Sequence, residues 1–195
     1  MIARELLDRG LANRLGVICA PHLCDQWAQE LNDKFNIDTA VIQPARISRL
    51  EKGLPRKDIS IYKYYRHLVV SIDYIKSQRN RGPFLDNCPD LIIVDEVHTA
   101  ARPRGNKGGN QHQRYQFLKE LSKEPNRHLI LATATPHSGV EESFRSVLGL
   151  LDDAFDVSEQ ERLPRRQIVP HFIQRKRSDL KNWLDSETPF PERES

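Results

Sequence analysis

The 195-residue chain has three cysteines, no long apolar run and no leader-like start, and each absence narrows what it can be. Cys19, Cys24 and Cys88 form an odd set without a Cys-x-x-Cys pair. That argues against a disulfide framework and against a conventional zinc site, and leaves buried or inert thiols as the plain reading. No stretch approaches the roughly 20 apolar residues that a membrane span requires. The first residues, MIARELLDRG, contain neither an apolar core nor a small-residue cleavage site, so a cytoplasmic protein with no membrane partner is expected.

With 38% hydrophobic and 29% charged residues, the sequence suits a soluble globular domain followed by a tail. The net charge of +3 is small but unevenly spread. From Thr99 to Lys119 there are five Lys or Arg and no acid, from Glu161 to Lys181 seven against two, and from Gln43 to Arg66 seven against two. Runs of this kind are commonly solvated faces, and they are also the footprint of a polyanion partner.

Four short apolar runs, ending at Ala20, Ser71, Val94 and Leu131, are too short for helices and too continuously apolar for half-exposed strands. They predict strands buried on both faces, with a weaker strand at Ala40 to Ile42. Between them, Leu23, Trp27, Leu31 and Phe35 recur every four residues and predict an amphipathic helix. Ile2, Leu6 and Leu7 before Gly10, then Phe117, Leu118 and Leu121, then Phe144, Val147, Leu148 and Leu151, predict three more. Strand and helix in alternation mean an α/β fold, a parallel sheet with helices on its faces. Thr99 to Gln113, with Arg102, Arg104, Gly105, Lys107, Gly108 and Gly109, reads as a flexible basic loop. From Gln167 onward Val169, Phe172, Ile173, Leu180, Trp183 and Leu184 suggest a helix bearing Arg175, Lys176 and Arg177, before a Pro-rich end.

Asp95, Glu96, Val97 and His98 directly follow the run Leu91 to Val94. In a parallel sheet, chemistry gathers at the carboxyl ends of the strands, where two adjacent acids can divide nucleotide hydrolysis between holding magnesium and activating water. A solvated turn is the competing reading. Thr133, Ala134, Thr135 and Pro136 follow the next run, where small hydroxyl residues can relay a change at a phosphate, or simply cap a helix.

In order, VICAPHLCDQW, VVSIDYI, LIIVDEVH, LATATPH and FIQRKRSDL resemble the motifs of the first RecA-like domain of superfamily-two helicases, in particular the Swi/Snf-type and bacterial RapA-like branch. The resemblance covers nearly the whole chain. It implies that Asp95 carries magnesium through water, that Glu96 is the catalytic base and that His98 passes the nucleotide state onward. Thr133, Ala134 and Thr135 resemble the family's Ser-Ala-Thr coupling motif, with Thr in place of the first Ser. Pro21, His22 and Trp27 are similar to an element that tracks a nucleic-acid backbone, with His22, Cys24 and Asp25 as departures. Ser71 and Asp73 fall where a second such contact is usual, and Arg102 and Arg104 belong to the basic loop. The implied cofactors are ATP and Mg2+; the implied partners are DNA, with RNA as an alternative, and a second RecA-like lobe. Residues 1–152 would form the ATP-binding domain and 153–195 a basic helical tail and linker. The TAARPRG loop and this tail look most like DEAD/DEAH-box helicases encoded beside phage-defence systems.

One motif of that family is absent. Gly-x-x-x-x-Gly-Lys-Ser/Thr cradles the triphosphate, and none of the nine glycines here is followed by lysine. In relatives the loop precedes a helix much like Ile2 to Asp8. The RecA-like sheet is therefore expected without its phosphate-loop strand, with unpaired neighbours or an altered strand order, lower stability and no turnover by these residues alone. Three other readings compete. A noncatalytic nucleic-acid-binding module would keep the basic surfaces. A metal-dependent nuclease would use Pro89 and Asp90 with the Asp95-Glu96 pair, and a zinc site would need Cys19, His22, Cys24 and Cys88 together.

Overall fold

The computed structural model describes residues 1–103, 109–135, 141–156 and 165–174. Arg104, Pro136, Ser138, Arg175 to Leu184 and the remaining tail motif lie outside the described residues. The chain divides into two compact units, Met1–Arg162 and Leu163–Ser195.

In the first unit five parallel strands form one sheet: β1 (Leu15–Cys19), β2 (Ala40–Ile42), β3 (Leu68–Ser71), β4 (Leu91–Val94) and β5 (His128–Leu131), in the spatial order β2-β3-β1-β4-β5. Helices α1 (Ile2–Asp8), α2 (Cys24–Phe35), α3 (Ile47–Lys52), α4 (Ile61–Tyr64), α5 (Ile72–Ile75), α6 (Gln78–Leu85), α7 (Gly109–Leu121) and α8 (Glu141–Leu148) connect them. The α/β reading and all five strands hold.

The apolar runs are continuous because side chains alternate between two buried faces. Ile18, Val70, Ile92 and Val94 pack on one side with Phe84 of α6 and Phe117, Leu118 and Leu121 of α7. Leu15, Val17, Cys19, Val69 and Leu91 pack on the other with Ala3 of α1 and Cys24 and Leu31 of α2. Gly16 in the middle of β1 is required by packing, since a Cβ there would meet Ile92 Cδ1 at 2.6 Å and Pro89 Cγ at 3.2 Å. β5 differs from the inner strands. It lies at one edge of the sheet, and its Leu129, Ile130 and Leu131 are only half-buried.

Two expectations need correction. The basic loop from Thr99 to Gln113 is not loop throughout: Val97–Ala100 is a 3-10 turn and α7 already begins at Gly109. The glycine-rich lead-in hid a helix whose buried face begins only at Tyr115. The segment after β2 carries four short helices that periodicity did not show. In α6, Gly82 and Pro83 read as a breaker although the helix runs on to Leu85. In the second unit a short helix α9 (Arg165–Ile168) is followed by a 3-10 turn at Val169–His171, so the expected continuous helix from Gln167 is interrupted there.

Side chains stitch the N-terminal ends of the strands. The Asp90 carboxylate accepts from the backbone N–H of Asn13 at 2.8 Å and of Arg14 at 2.7 Å. Burial pushes its pKa up, and these hydrogen bonds outweigh that and hold it below the ordinary carboxylate range. The Leu15 N–H donates to His67 Nδ1 at 3.1 Å, which requires that nitrogen to be unprotonated. Burial, then the charges of Arg66 and Arg14, lower the His67 pKa. Below the unfolded value of about 6.5, the unfolded chain therefore binds a proton that the folded chain refuses. Stability is predicted to be complete above that pH and to fall as pH drops toward the folded pKa. Urea midpoints at pH 7.5 and 5.5 should separate less in His67→Asn, whose amide oxygen can still accept the Leu15 N–H; equal separations would contradict this.

Candidate active site at the carboxyl edge of the sheet

β1, β3, β4 and β5 all point their carboxyl ends at one edge, so Pro21 and His22, Ser71 and Asp73, Asp95 to His98, and Thr133 to Thr135 emerge side by side. Parallel register and buried strands put them there. The sheet hydrogen bonding continues past the strand ends, as Asp95 N–H donates to Ile18 O at 2.8 Å, Ala132 N–H to Val94 O at 2.8 Å, and Val97 N–H to Ala132 O at 3.0 Å.

At Asp95 both carboxylate oxygens are held. Oδ1 accepts the Glu96 backbone N–H at 2.9 Å and Oδ2 accepts the Trp27 indole N–H at 2.8 Å. Glu96 sits in the left-handed region, with φ 49° and ψ 44°. A non-glycine residue there costs about 1–3 kcal/mol, and such strain persists where the surroundings demand it, often at functional sites. Glu96 Oε2 lies 3.1 Å from His98 Nδ1 without hydrogen-bond alignment, and is cut off from solvent with no hydrogen-bond partner. His98 Nδ1 is also 3.0 Å from Thr133 Oγ1, which accepts the Thr135 N–H at 3.1 Å. Glu96, His98 and Thr133 thus form one contact chain across the ends of β4 and β5.

The residues expected at a nucleic acid are more varied. Pro21 and His22 are exposed on a 3-10 turn between β1 and α2. The Pro21 carbonyl accepts from Gln43 Nε2 at 2.7 Å, and Arg46 pairs with Asp25 at 2.8 Å. Ser71 is buried at the end of β3. Asp73 accepts from Lys76 at 2.7 Å and from Arg114 Nη2 at 2.7 Å. Burial raises the Asp73 pKa, but these two cations outweigh it and set it below the ordinary value. The Arg102 guanidinium turns inward, bonded to Asp156 and to the Tyr115 hydroxyl at 3.0 Å, with its Cζ 5.4 Å from the Tyr115 ring centre. Its backbone N–H donates to the buried Ser146 hydroxyl at 3.0 Å.

Hard carboxylate oxygens at a strand end suit magnesium, which commonly takes one or two carboxylates together with substrate phosphates rather than a protein cage. Among the described residues no group of three or more His, Cys, Asp or Glu could hold a metal ion. Geometry separates the other two metal readings. Asp90 precedes β4 and Asp95 follows it, about 16 Å apart along an extended strand. Cys88 likewise lies before β4, whereas the Cys19 and Cys24 sulfurs meet 3.6 Å apart at the other end of the sheet.

No family model matches the sequence. Over 156 residues, 78% of this chain and 16% of the relative, it is 32% identical to the RNA polymerase-associated protein RapA of Actinobacillus pleuropneumoniae serotype 5b (strain L20). Over 148 residues, 75% of this chain and 22% of the relative, it is 30% identical to the uncharacterized ATP-dependent helicase YqhH of Bacillus subtilis (strain 168). It therefore spans a minor part of the length of both. Among solved structures, the Sulfolobus solfataricus SWI2/SNF2 ATPase core in complex with dsDNA shares the fold, with a TM-score of 0.51 and 15% identity over 76% of this chain and 27% of that one. The sequence relatives, the parallel RecA-like sheet and the ordered motifs agree, and the chain belongs to the superfamily-two helicases of the Swi/Snf-type, RapA-like kind.

Proposed function

We propose that these residues supply the hydrolytic edge of the first RecA-like domain of an ATP-driven motor that moves on DNA in the cytoplasm. The observation that carries this is the convergence of Asp95, Glu96, His98 and Thr133 at one strand edge, with a Glu96 oxygen shielded from solvent beside His98. Bound magnesium would neutralise charge on the transferred phosphoryl group. Asp95 would hold it through water, Glu96 would take the proton of the attacking water, and the His98–Thr133 contact would carry the change toward a second lobe. Residues 1–152 would serve as the domain and 153–195 as the path to that lobe. Pro21 and His22, exposed beside the site, would meet the nucleic-acid backbone.

The phosphate cradle must come from outside these residues, because no Gly-Lys pair exists in them. The 195-residue chain, given magnesium, ATP and duplex DNA, is predicted to release phosphate no faster than its Glu96→Gln variant. Release well above that control would contradict the proposal. The same absence favours one second reading, a noncatalytic DNA-binding module. Its mark would be DNA affinity that falls steeply with salt in a complete protein that has no ATP turnover.

A further inference from the structure

The indole of Trp27 is in contact with the acid of the proposed metal site, although 68 residues separate them in sequence. An indole N–H can only donate, and when half-buried it needs an acceptor. Its acceptor here is Asp95 Oδ2 at 2.8 Å, a charge-assisted bond, while the backbone of Glu96 holds Oδ1 at 2.9 Å. With one donor on each oxygen, the plane of the carboxylate is fixed and its remaining lone pairs are free for a hydrated cation.

Trp27 itself cannot drift. It lies one turn into α2, whose Cys24 and Leu31 are buried against Val17, Cys19, Val69 and Leu91 of the sheet. The same helix starts directly after the exposed Pro21–Leu23 turn. The turn and the donor seated on Asp95 thus belong to one continuous packed segment.

We infer that Trp27 is a positioning residue for the metal-holding carboxylate, joining the exposed Pro21–Leu23 turn to Asp95 through the Trp27 Nε1–Asp95 Oδ2 hydrogen bond. The inference rests on the reading of Asp95 as the magnesium carboxylate. Hydrogen-bond partners of metal ligands typically change metal affinity by about 10–100-fold when removed.

The test uses the full chain with Trp183→Phe, which leaves Trp27 as the single tryptophan of the original two. Manganese chloride alone is the probe, with bound ion counted by electron paramagnetic resonance and Trp27 emission followed in parallel. Saturable quenching is expected in the parent and should vanish in Asp95→Asn. Trp27→Phe should weaken the Asp95-dependent binding about tenfold or more. Because Trp27→Phe also removes packing volume, the second variant replaces the indole with its benzothiophene analogue, which keeps the shape and lacks only the N–H; it should show the same weakening at an unchanged melting temperature. Unchanged manganese affinity in the benzothiophene protein, with Asp95→Asn still abolishing binding, would overturn the role of Trp27 and leave Asp95 as read. Unchanged affinity in Asp95→Asn would overturn the metal reading, and the inference with it.

Discussion

Replacing Glu96 with glutamine is expected to lower ATP turnover by about 10²–10⁴-fold in the motor that carries this chain, the usual contribution of a positioned general base. Glutamine keeps the length and much of the shape at a position already strained into the left-handed region, and it removes the proton acceptor beside His98. Nucleotide and DNA affinities should therefore stay within a few-fold of wild type while phosphate release collapses. Turnover reduced by less than tenfold would show that another group accepts the proton. The change is placed in the complete protein because the 195 residues contain no Gly-Lys pair.

Phe117→Ala should destabilise the domain by about 3–5 kcal/mol, the cost of truncating a fully buried phenylalanine together with the cavity it leaves. Phe117 is completely buried, 5.9 Å from the ring of Phe84, which in turn meets Tyr62 edge-on at 5.4 Å. This aromatic row belongs to the core on one face of the sheet and joins α4, α6 and α7. Domains of this size are stable by roughly 5–15 kcal/mol in total, so the loss is a large share of the whole and the urea midpoint should fall clearly below wild type. A urea midpoint close to wild type would mean that Phe84 and Leu118 collapse into the space, and that the row is less rigid than its burial implies.

The strands were legible because each inner one is buried on both faces, which writes an unbroken apolar run into the sequence. α2 was legible because one stripe faces the sheet and the other faces solvent. The acid pair could be placed at a strand end on the same grounds. The short helices between β2 and β4 were not legible, since four to eight residues hold too few turns to show a period, and Gly82-Pro83 inside α6 imitates a loop. Spatial relations across the sheet were also hidden. Nothing in the sequence says that Trp27 reaches Asp95, that Arg114 and Lys76 close on Asp73, or that Arg102 in a basic run turns in toward Asp156. Each of those bonds depends on the strand order and on which helix lies above which loop. Charge runs record composition along the chain; whether a cation meets solvent or a neighbouring carboxylate is decided by packing.

The edge strand β5 makes the same distinction from the other side. Its Leu129, Ile130 and Leu131 read as a buried run, yet they are only half-covered on an open edge of the sheet. Its outer side has no partner among the described residues, whereas parallel strands are normally covered.

The most direct measurement is phosphate release by the complete native protein, captured from its source cells through this chain, with magnesium and ATP, in the presence and absence of duplex DNA. The account predicts ATP hydrolysis that rises when DNA is added. No ATP turnover under either condition, with DNA binding intact, would contradict it and leave the chain as a binding module.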